Sequence, residues 1–351
     1  MWFELAAAAA ISALVSLIAC RVVMKMGPID RPDAARKAHG SPTPTSGGVG
    51  IAVGFGASVA LLAVASETMH SEVAPRSALL LTLAASFSYL FLFIGWWDDT
   101  RDLSARLKMV LFGAASLAAT LAVGPVLSFP LQDDARLMLP LWLGVVGTAL
   151  WIFTLVNGVN FMDGANGLAM GSVAVGLSGL AAVAYDHGSI AGVIICLCAV
   201  GAIAGFLFWN FPTGRLFAGD AGALFAGALA ALSSVIVIHR TGISPLIPPI
   251  LFFPLLSDVL VTLAWRAWRR RSLFDGHSEH LYQIARHAGM RHTEVALIYW
   301  SATAACGVIA YLVANRDGLA AAMALATMAA AAIVVSTAVR RFAARRGIEG
   351  V

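Results

Sequence analysis

The segment NGVNFMDGANGL, residues 157–168, decides how this chain folds. It lies between two long apolar segments and is rich in asparagine and glycine, with one aspartate, Asp163. A polar side chain beside hydrocarbon costs free energy unless it is hydrogen-bonded or binds something. We therefore expect this segment to lie at one edge of a membrane and to face a polar ligand there.

The composition of the whole chain is that of a membrane protein. Of its 351 residues, 60% are hydrophobic and 12% are charged, whereas soluble domains carry roughly 25% charged residues. The mean hydropathy is +0.84 and the isoelectric point is about 9.1. We predict an all-α polytopic membrane protein. Its basic balance reflects the sidedness of the charges, so no nucleic acid partner is predicted.

Apolar segments long enough to span a bilayer, which takes about 20 residues, recur along the chain. The eleven segments are residues 2–24, 47–66, 77–97, 107–127, 137–156, 167–185, 189–209, 218–238, 246–266, 294–314 and 318–338. We predict a single transmembrane catalytic domain over residues 1–338 and a basic cytoplasmic tail over residues 339–351. The four cysteines lie inside apolar segments without a CxxC pair, which is typical of buried, inert thiols.

The distribution of Lys and Arg predicts the orientation of these spans. Nineteen of the 23 basic residues fall on one side of the membrane, and the other four are Arg76, Arg136, Arg240 and Arg316. Basic residues concentrate in cytoplasmic loops, so we expect a periplasmic N-terminus and a cytoplasmic C-terminus in a bacterial inner membrane. The basic residues nearest the first apolar segment follow it, which favours a retained anchor over a cleaved signal peptide.

Five polar clusters fall on the predicted cytoplasmic side, at residues 30–50, 95–108, 157–168, 210–222 and 266–291. A transporter more often places its charged site near the middle of the bilayer, and here only Asp258 is clearly intramembrane. Clustering at one face predicts an enzyme whose water-soluble substrate comes from the cytosol and whose lipid substrate comes from the bilayer. A transporter of lipid-linked sugars or other anions is the alternative.

The stretch GWWDDTRDLSARLK, residues 95–108, places two carboxylates side by side at the end of the third span. Adjacent carboxylates such as Asp98 and Asp99 repel each other unless a cation lies near them. Oxygen ligands of this kind suit Mg²⁺, which keeps room for water and phosphate. The alternative is a charge cluster at a helix end, offset by the basic residues that follow, among them Lys108.

Within residues 157–168, Asn157 and Asn160 share a helix face if the helix continues that far. Asp163 then enters a turn that the neighbouring glycines permit, and Asn166 is a candidate cap for the sixth span. A network of hydrogen bonds between helices is the alternative. It explains one or two of these residues but not the whole set.

The stretch NFPTGRLFAGDAG, residues 210–222, places Asp220 between glycines at the start of the eighth span. A helix N-terminus with small neighbours binds anions, and an acidic residue there can hold a cation against a phosphate. Arg215 offers a positive charge to such a phosphate. Phe217 could stack on a base, although a Phe at a membrane edge is by default an anchor. A simple Asp N-cap is the alternative for Asp220.

The two remaining clusters are basic. The stretch DRPDAARKAHGSPTPTSGG, residues 30–48, offers Arg36, Lys37 and His39 as positive donors. A positive-inside loop beside the membrane explains them equally.

The stretch RAWRRRSLFDGHSEHLYQIARHAG, residues 266–289, begins with a run of arginines and continues with His277 and His280. Zinc is not expected, because no third soft ligand is nearby, and contact with phosphate is the hypothesis for both histidines. The arginines otherwise act as orientation signals. Asp258, in the preceding span, is a functional candidate by position and could instead pair with Arg266.

The order and content of these clusters resemble one known family. The basic stretch, the Asp98–Asp99 pair, NGVNFMDGANGL, NFPTGRLFAGDAG and a His-containing loop follow one another as in the polyprenyl-phosphate N-acetylhexosamine-1-phosphate transferases of glycosyltransferase family 4. The resemblance covers about residues 1–315. Its third and fourth motifs together are highly specific.

That resemblance implies transfer of a sugar-1-phosphate from a UDP-sugar to undecaprenyl phosphate in the membrane lipid, with release of UMP and a requirement for Mg²⁺ or Mn²⁺. It implies that Asp98, Asp99 and Asp220 bind the metal, that Asp98, Asp99 and Asp163 are catalytic, and that Phe217 stacks on uracil. The other substrate-binding candidates are Arg36, Lys37, His39, Lys108, Asn157, Asn160, Asn166, Arg215, His277 and His280. Direct attack and a two-step route through an aspartyl intermediate both stay open.

One difference from the family pattern indicates which branch of the family the chain resembles. The peptidoglycan branch carries three consecutive histidines in its last cytoplasmic loop, whereas this chain has GHSEHLYQ at residues 276–283. The loop resembles the O-antigen or exopolysaccharide-initiating branch instead. There an arginine often lies between the histidines, and Ser278 and Glu279 stand here in its place. The phosphate contacts of this loop, the donor sugar and the choice between monomer and homodimer stay open.

Overall fold

A computed structural model describes residues 2–26, 29–30, 43–68, 75–131, 135–273, 278–316 and 318–348. Within these ranges the chain is almost entirely helical, and its strands form two short antiparallel pairs. The all-α fold class expected from the sequence is therefore confirmed. All four cysteines are buried and free, as their apolar surroundings predicted.

The helices follow the apolar segments, because a backbone in hydrocarbon must satisfy its polar groups within the helix. They are α1 (Trp2–Met26), α2 (Gly47–Thr68), α3 (Pro75–Arg101), α4 (Ala105–Val123), α5 (Leu141–Met162), α6 (Leu168–Asp186), α7 (Ile190–Asn210), α8 (Gly219–Thr241), α9 (Ile247–Leu251), α10 (Phe253–Trp268), α11 (Leu281–His287), α12 (His292–Ala314) and α13 (Gly318–Arg345). In the described part, nine of them are long and apolar enough to cross a membrane. They are α1, α3 to α8, α12 and α13.

The two predicted spans outside that set differ from each other. The span at 47–66 is covered by α2. The span at 246–266 is not one helix, which corrects the sequence prediction: it is divided at Phe252 into α9 and α10. Pro248, Pro249 and Pro254 explain the division, since proline lacks an N–H group and obstructs the preceding helical turn.

The strands connect helix ends on the two sides of the bundle. β1 (Ile29–Asp30) pairs with β2 (Thr43–Pro44), directly before α2. β3 (Ser128–Pro130) pairs with β4 (Arg136–Met138) in the connection from α4 to α5. The first pair also contacts the loop before α8, because Pro44 in β2 accepts a hydrogen bond from the N–H of Phe217.

The core is centred on α8. Every residue from Ala221 to Ile238 is buried, and α2, α3, α5, α6 and α7 all pack against this helix. Small residues allow the close approach: a Cβ atom on Gly95 of α3 would lie 2.5 Å from the carbonyl oxygen of Asp220, and one on Gly48 of α2 would lie 2.3 Å from the amide nitrogen of Gly222. The start of α8 is thus fixed against two other helices.

The last helix extends beyond the predicted end of its span. α13 continues to Arg345, whereas the predicted span ends at residue 338. Arg340 lies in this extension and is buried, with 4% of its surface exposed. The helix therefore contributes a charged side chain to the protein interior near the end of α10.

Candidate active site

One lysine joins two of the predicted site carboxylates. Asp98, near the end of α3, is 4% exposed, and its Oδ2 atom lies 2.5 Å from Nζ of Lys108 in α4. The same ammonium lies 3.7 Å from Oδ2 of Asp220 in the first turn of α8. A single cation therefore contacts carboxylates from two helices. Lys108 offsets the acidic pair, as the alternative interpretation of residues 95–108 proposed.

Asp99 caps the central helix from a neighbouring helix. Its Oδ1 atom accepts a hydrogen bond of 3.0 Å from the N–H of Asp220, and its Oδ2 atom accepts one of 3.1 Å from the N–H of Ala221. The first N–H groups of a helix have no partner within the helix. Gly219 has φ +70° and makes room for this carboxylate, because a Cβ there would lie 2.7 Å from Asp99 Oδ2.

Asp220 is not an N-cap of its own helix, which corrects the alternative considered for it. α8 begins at Gly219, and Ala218 occupies the N-cap position without a side-chain hydrogen bond. Since Asp99 satisfies the helix end, the carboxylate of Asp220 remains available to face Lys108.

Backbone hydrogen bonds fix the loop before α8 to the entry of α2. The N–H groups of Gly47 and Gly48 donate to the carbonyl oxygens of Phe217 and Ala218, each over 2.9 Å. The N–H of Phe217 donates to the carbonyl of Pro44 over 2.8 Å. The backbone of Phe217 is therefore held on both sides while its side chain is half-buried. Stacking of this ring on a base stays a prediction.

Helix α5 continues past Asn160, which is the condition for Asn157 and Asn160 to share a helix face. α5 ends at Met162, so Asn157 and Asn160 both lie on it. Asn157 is 6% exposed and donates from Nδ2 to the carbonyl of Phe153 over 2.7 Å. Its buried Oδ1 atom has no hydrogen-bond partner among the described residues, so this acceptor is left for a ligand or a water molecule.

Asp163 is the C-cap residue of α5, and its carboxyl group has a raised pKa. Burial raises the pKa of its carboxyl group to about 8, and the negative charge of Asp99 acts in the same direction. Asp163 therefore interacts electrostatically with Asp99, near the end of α3. At neutral pH and without a cation, this carboxyl group therefore holds its proton.

Asn166 does not cap α6, which corrects the sequence prediction. The N-cap is Gly167 at φ +76°, and its N–H donates to Oδ1 of Asn210 over 2.6 Å. Asn166 instead donates from Nδ2 to the carbonyl of Pro212 and from its backbone N–H to Nδ1 of His292, each over 3.3 Å. Asn166 and Asn210 thus join the two asparagine-containing motifs. No role of His292 was predicted from the sequence.

His280 packs onto the same region from the last loop. Its side chain is 4% exposed, and its ring stacks on Phe161 and Tyr282, with centroid separations of 6.2 and 6.0 Å. Nδ1 of His280 lies 3.6 Å from Oδ1 of Asp258. The hydroxyl of Tyr282 donates to the carbonyl of Phe161 over 3.3 Å. The loop thus contacts the end of α5 directly, through a histidine enclosed by protein.

Asp258 does not pair with Arg266, which corrects one of the two sequence interpretations. Arg266 donates to the Glu279 carboxylate, and Arg271 donates to the other oxygen of that carboxylate. Burial disfavours the Glu279 charge, but the hydrogen bonds and charges of the two arginines outweigh it and lower the pKa of Glu279 below its usual value. Nη2 of Arg340 completes this cluster by donating to the Glu279 carbonyl over 2.8 Å.

The remaining predicted residues are placed as follows. Arg215 is exposed in the loop before α8. Arg36, Lys37, His39 and His277 lie outside the described residues.

The donor set fits a magnesium ion chemically, although it does not enclose one. Among the described residues, no group of three His, Cys, Asp or Glu side chains is placed to hold a metal ion. Asp98 and Asp220, however, both reach the ammonium of Lys108, so both can approach one cation. Mg²⁺ is commonly bound by one or two carboxylates, with phosphate and water completing its shell. Two protein oxygens therefore suffice if a substrate phosphate supplies others.

Comparison with known proteins places the chain in a family. Residues 79–238 match the model of glycosyl transferase family 4, a stretch that holds Asp98, Asp99, Asp163 and Asp220. A phospho-N-acetylmuramoyl-pentapeptide-transferase of Microcystis aeruginosa (strain NIES-843 / IAM M-2473) is 31% identical over 321 residues, which cover 84% of this chain and 82% of that relative. The chain belongs to glycosyl transferase family 4. The resemblance drawn from the motifs is thereby confirmed.

Other relatives in this comparison are similar over comparable lengths. A Bacillus subtilis (strain 168) protein, described as a probable undecaprenyl-phosphate N-acetylglucosaminyl 1-phosphate transferase, is 27% identical over 291 residues, covering 82% of this chain and 77% of the relative. A phospho-N-acetylmuramoyl-pentapeptide-transferase of Rubrobacter xylanophilus (strain DSM 9941 / JCM 11954 / NBRC 16129 / PRD-1) is 28% identical over 290 residues, covering 77% and 82%. Membership in a family of transferases disfavours the transporter alternative.

Proposed function

We propose that the protein transfers an N-acetylhexosamine-1-phosphate group from a UDP-sugar to undecaprenyl phosphate and releases UMP. The observation that carries the proposal is the meeting of Asp98, Lys108 and Asp220 at the ends of three membrane helices, inside the stretch that matches the family. Of its relatives, one is described as a probable undecaprenyl-phosphate N-acetylglucosaminyl 1-phosphate transferase and another as a phospho-N-acetylmuramoyl-pentapeptide-transferase. Both descriptions fit transfer of a phosphosugar.

The charges of the reactants explain why these residues are needed. A diphosphate and a phosphate monoester repel each other, and the carboxylates add further negative charge. We propose that Asp98 and Asp220 hold Mg²⁺, or Mn²⁺, with phosphate oxygens and water as its other ligands. The bound ion would offset the negative charge and polarise the reacting phosphoryl group. Lys108 supplies a second positive charge to the same phosphates, and Asp99 keeps the start of α8 in place.

The other polar residues are proposed to orient the donor. Asn157 presents a buried oxygen that has no hydrogen-bond partner in the part of the chain that the structure describes, and Asn160 and Asp163 follow it at the end of α5. The second pKa of a phosphate monoester is near ~6, so the lipid phosphate is already a dianion near neutral pH. A strong base is then unnecessary in a direct attack, and the two-step route through an aspartyl intermediate stays an alternative.

The proposed setting is the bacterial inner membrane, with the active site towards the cytoplasm. The excess of Lys and Arg on the side that carries Asp98 and Asp220 supports this orientation. GHSEHLYQ at residues 276–283 lacks three consecutive histidines, which supports a branch that starts O-antigen, lipopolysaccharide or exopolysaccharide synthesis. An N-acetylhexosamine is therefore proposed as the donor sugar rather than a muramoyl-pentapeptide.

The proposal is tested with the full chain in nanodiscs. Undecaprenyl phosphate is supplied with a panel of UDP-N-acetylhexosamines and with UDP-N-acetylmuramoyl-pentapeptide, and UMP release is measured. We expect release with at least one N-acetylhexosamine donor, loss of release with EDTA and recovery with Mg²⁺. Asp220→Asn should abolish release, whereas Asp186→Asn should not, because Asp186 contacts Asn315 at the opposite end of α6. UMP release in the absence of undecaprenyl phosphate would contradict the proposal. The absence of UMP release with every donor tested would also contradict it.

A further inference from the structure

The N-terminus of α11 is held by a carboxylate from another helix. Oδ1 of Asp258, in α10, accepts a hydrogen bond of 2.8 Å from the N–H of Leu281, and Oδ2 accepts one of 3.2 Å from the N–H of Tyr282. These N–H groups have no acceptor within a helix that starts at Leu281. Asp258 therefore caps α11 from another helix, in addition to Gln283, whose Oε1 atom accepts the N–H of His280 over 3.1 Å.

Further donors surround the same carboxylate. The hydroxyl of Tyr299, in α12, donates to Oδ2 of Asp258 over 2.5 Å, and the hydroxyl of Thr262 donates to Oδ1 over 3.3 Å. Asp258 is 2% exposed. A buried carboxylate is tolerated only when such donors compensate for lost hydration. Asp258 thus links α10, α11 and α12, and it is enclosed by the protein.

The helix that Asp258 holds lies against the turn that carries Asp163. Tyr282 donates to the carbonyl of Phe161 over 3.3 Å, and a Cβ atom on Gly164 would lie 2.2 Å from the Tyr282 hydroxyl oxygen. His280, directly before α11, stacks on the ring of Phe161. A shift of α11 would therefore move the residues on both sides of Asp163.

We propose that Asp258 is a positioning residue for the transfer reaction. By fixing the N-terminus of α11, it holds His280 and Tyr282 against the turn that carries Asp163. This inference rests on the proposed function for its kinetic test and on the hydrogen bonds alone for its structural test. It assigns the intramembrane carboxylate a role in the geometry of the site rather than contact with a substrate.

The kinetic test uses Asp258→Asn, Tyr299→Phe and the double variant in the full chain. Asparagine keeps the size of the side chain but turns a donor towards the N–H groups. We expect kcat for UMP release to fall about 100-fold in Asp258→Asn, since small misplacements of reacting groups have effects of that size. KM for the UDP-sugar should change far less. Tyr299→Phe removes one hydrogen bond to a charged group and should lower kcat about tenfold.

The double variant distinguishes a positioning role of Asp258 from a nonspecific loss of activity. The Tyr299 hydroxyl donates to Asp258, so removing that hydroxyl in Tyr299→Phe should have no further effect once Asp258 is Asn. Glu294→Gln is the matched control, because Glu294 also accepts from a helix-start N–H, that of Arg291, but is confined to the first turn of α12. Its kcat should stay at the wild-type value. Equal effects of Tyr299→Phe in both backgrounds would overturn the proposal.

Hydrogen exchange gives a second test that needs no activity. Asp258→Asn should increase amide exchange over residues 278–290 and also over residues 157–168, and Glu294→Gln should do neither. Faster exchange in the first segment alone would mean that Asp258 only stabilises its own loop, and would overturn the proposal. If Asp258→Asn does not fold, Tyr299→Phe decides: unchanged kcat or unchanged exchange over residues 157–168 is the overturning result. A wild-type protein without UMP release would refute the proposed function, while the exchange experiment still decides the role of Asp258.

Discussion

Oδ1 of Asp99 accepts a hydrogen bond of 3.0 Å from the backbone N–H of Asp220. The second oxygen of Asp99 accepts the next N–H of α8, that of Ala221, over 3.1 Å. One carboxylate of the acidic pair therefore holds the start of the central helix, and the other, Asp98, meets Lys108. Two adjacent aspartates in the sequence have different surroundings, which gives them different expected phenotypes.

Replacement of Asp99 should affect stability and metal response together. Asp99→Ala removes both acceptors of the helix end and should cost about 1 kcal/mol of stability, as the loss of a cap does. Asp99→Asn keeps one acceptor and should cost less. Because Asp99 supports Asp220, both variants should raise the Mg²⁺ concentration for half-maximal UMP release by about 10- to 100-fold. Thermal unfolding in detergent and a Mg²⁺ titration measure the two effects, and an unchanged Mg²⁺ response would contradict this role.

Lys108→Met tests whether the lysine and a divalent cation share the same carboxylates. Lys108 is the cation that contacts Asp98 and Asp220 among the described residues, so without it the metal-free variant should melt at a lower temperature than the wild type. Mg²⁺ should then raise the melting temperature of the variant more than that of the wild type, because ligand binding to the folded state stabilises it. Arg106→Gln, on an exposed residue of the same helix, is the control. Equal Mg²⁺ shifts in all three proteins would contradict a shared site.

Most of the fold could be predicted from the sequence because long apolar segments identify membrane-spanning helices directly. The helices α1 to α8, α12 and α13 each overlap a predicted segment, although several of their ends differ. The division at Phe252 was missed, since the apolar run is continuous there and only the prolines signal the break. The three prolines at 248, 249 and 254 could have revealed it, because two of them start α9 and one starts α10.

The candidate site was predictable in its residue types and not in its pairings. Asp98 and Asp220 were singled out from their motifs, but the sequence could not show that Lys108 lies between them. Asp99 accepts hydrogen bonds from backbone N–H groups of α8. Every residue except proline carries such a group, so the pattern of side chains could not identify this partner. Glu279 and Arg340 were missed for a similar reason: they meet only because α13 packs against α10.

Gly95→Ala should disturb the site without replacing any polar side chain. A Cβ atom at this position would lie 2.5 Å from the Asp220 carbonyl oxygen and 2.6 Å from the Ala221 Cα atom. Both neighbours are backbone, so α3 and α8 would have to separate and carry Asp98 away from Asp220. We expect lower stability by about 1–3 kcal/mol and loss of UMP release. Gly113→Ala, where a Cβ would meet nothing within 4 Å, should be neutral or stabilising; similar behaviour of both variants would contradict this explanation.

Glu279→Gln should destabilise the end of α10. The variant leaves Arg266 buried beside an uncharged partner, and breaking a buried pair from one side costs about 3 kcal/mol. Arg266 and Arg271 keep the pKa of Glu279 below 4.5 in the folded protein. Its stabilisation is therefore fully present above that pH and is lost as the pH falls through the lowered value. The difference in melting temperature between wild type and variant should shrink on acidification, and a constant difference would contradict the ion-pair assignment.

Asp163→Asn tests the raised pKa of the carboxyl group at the end of α5. The pKa of Asp163 is about 8 in the folded protein and 3.8 in the unfolded reference. Between these values the folded state binds one proton more than the unfolded state, so metal-free wild type should lose stability as the pH rises towards 8. The loss cannot exceed about 1.4 kcal/mol per pH unit for one proton, and it should level off above pH 8. Asp163→Asn lacks this proton and should show a flatter profile in EDTA. Parallel melting profiles of wild type and variant between about pH 6 and pH 9 would show that Asp163 is already ionised at neutral pH.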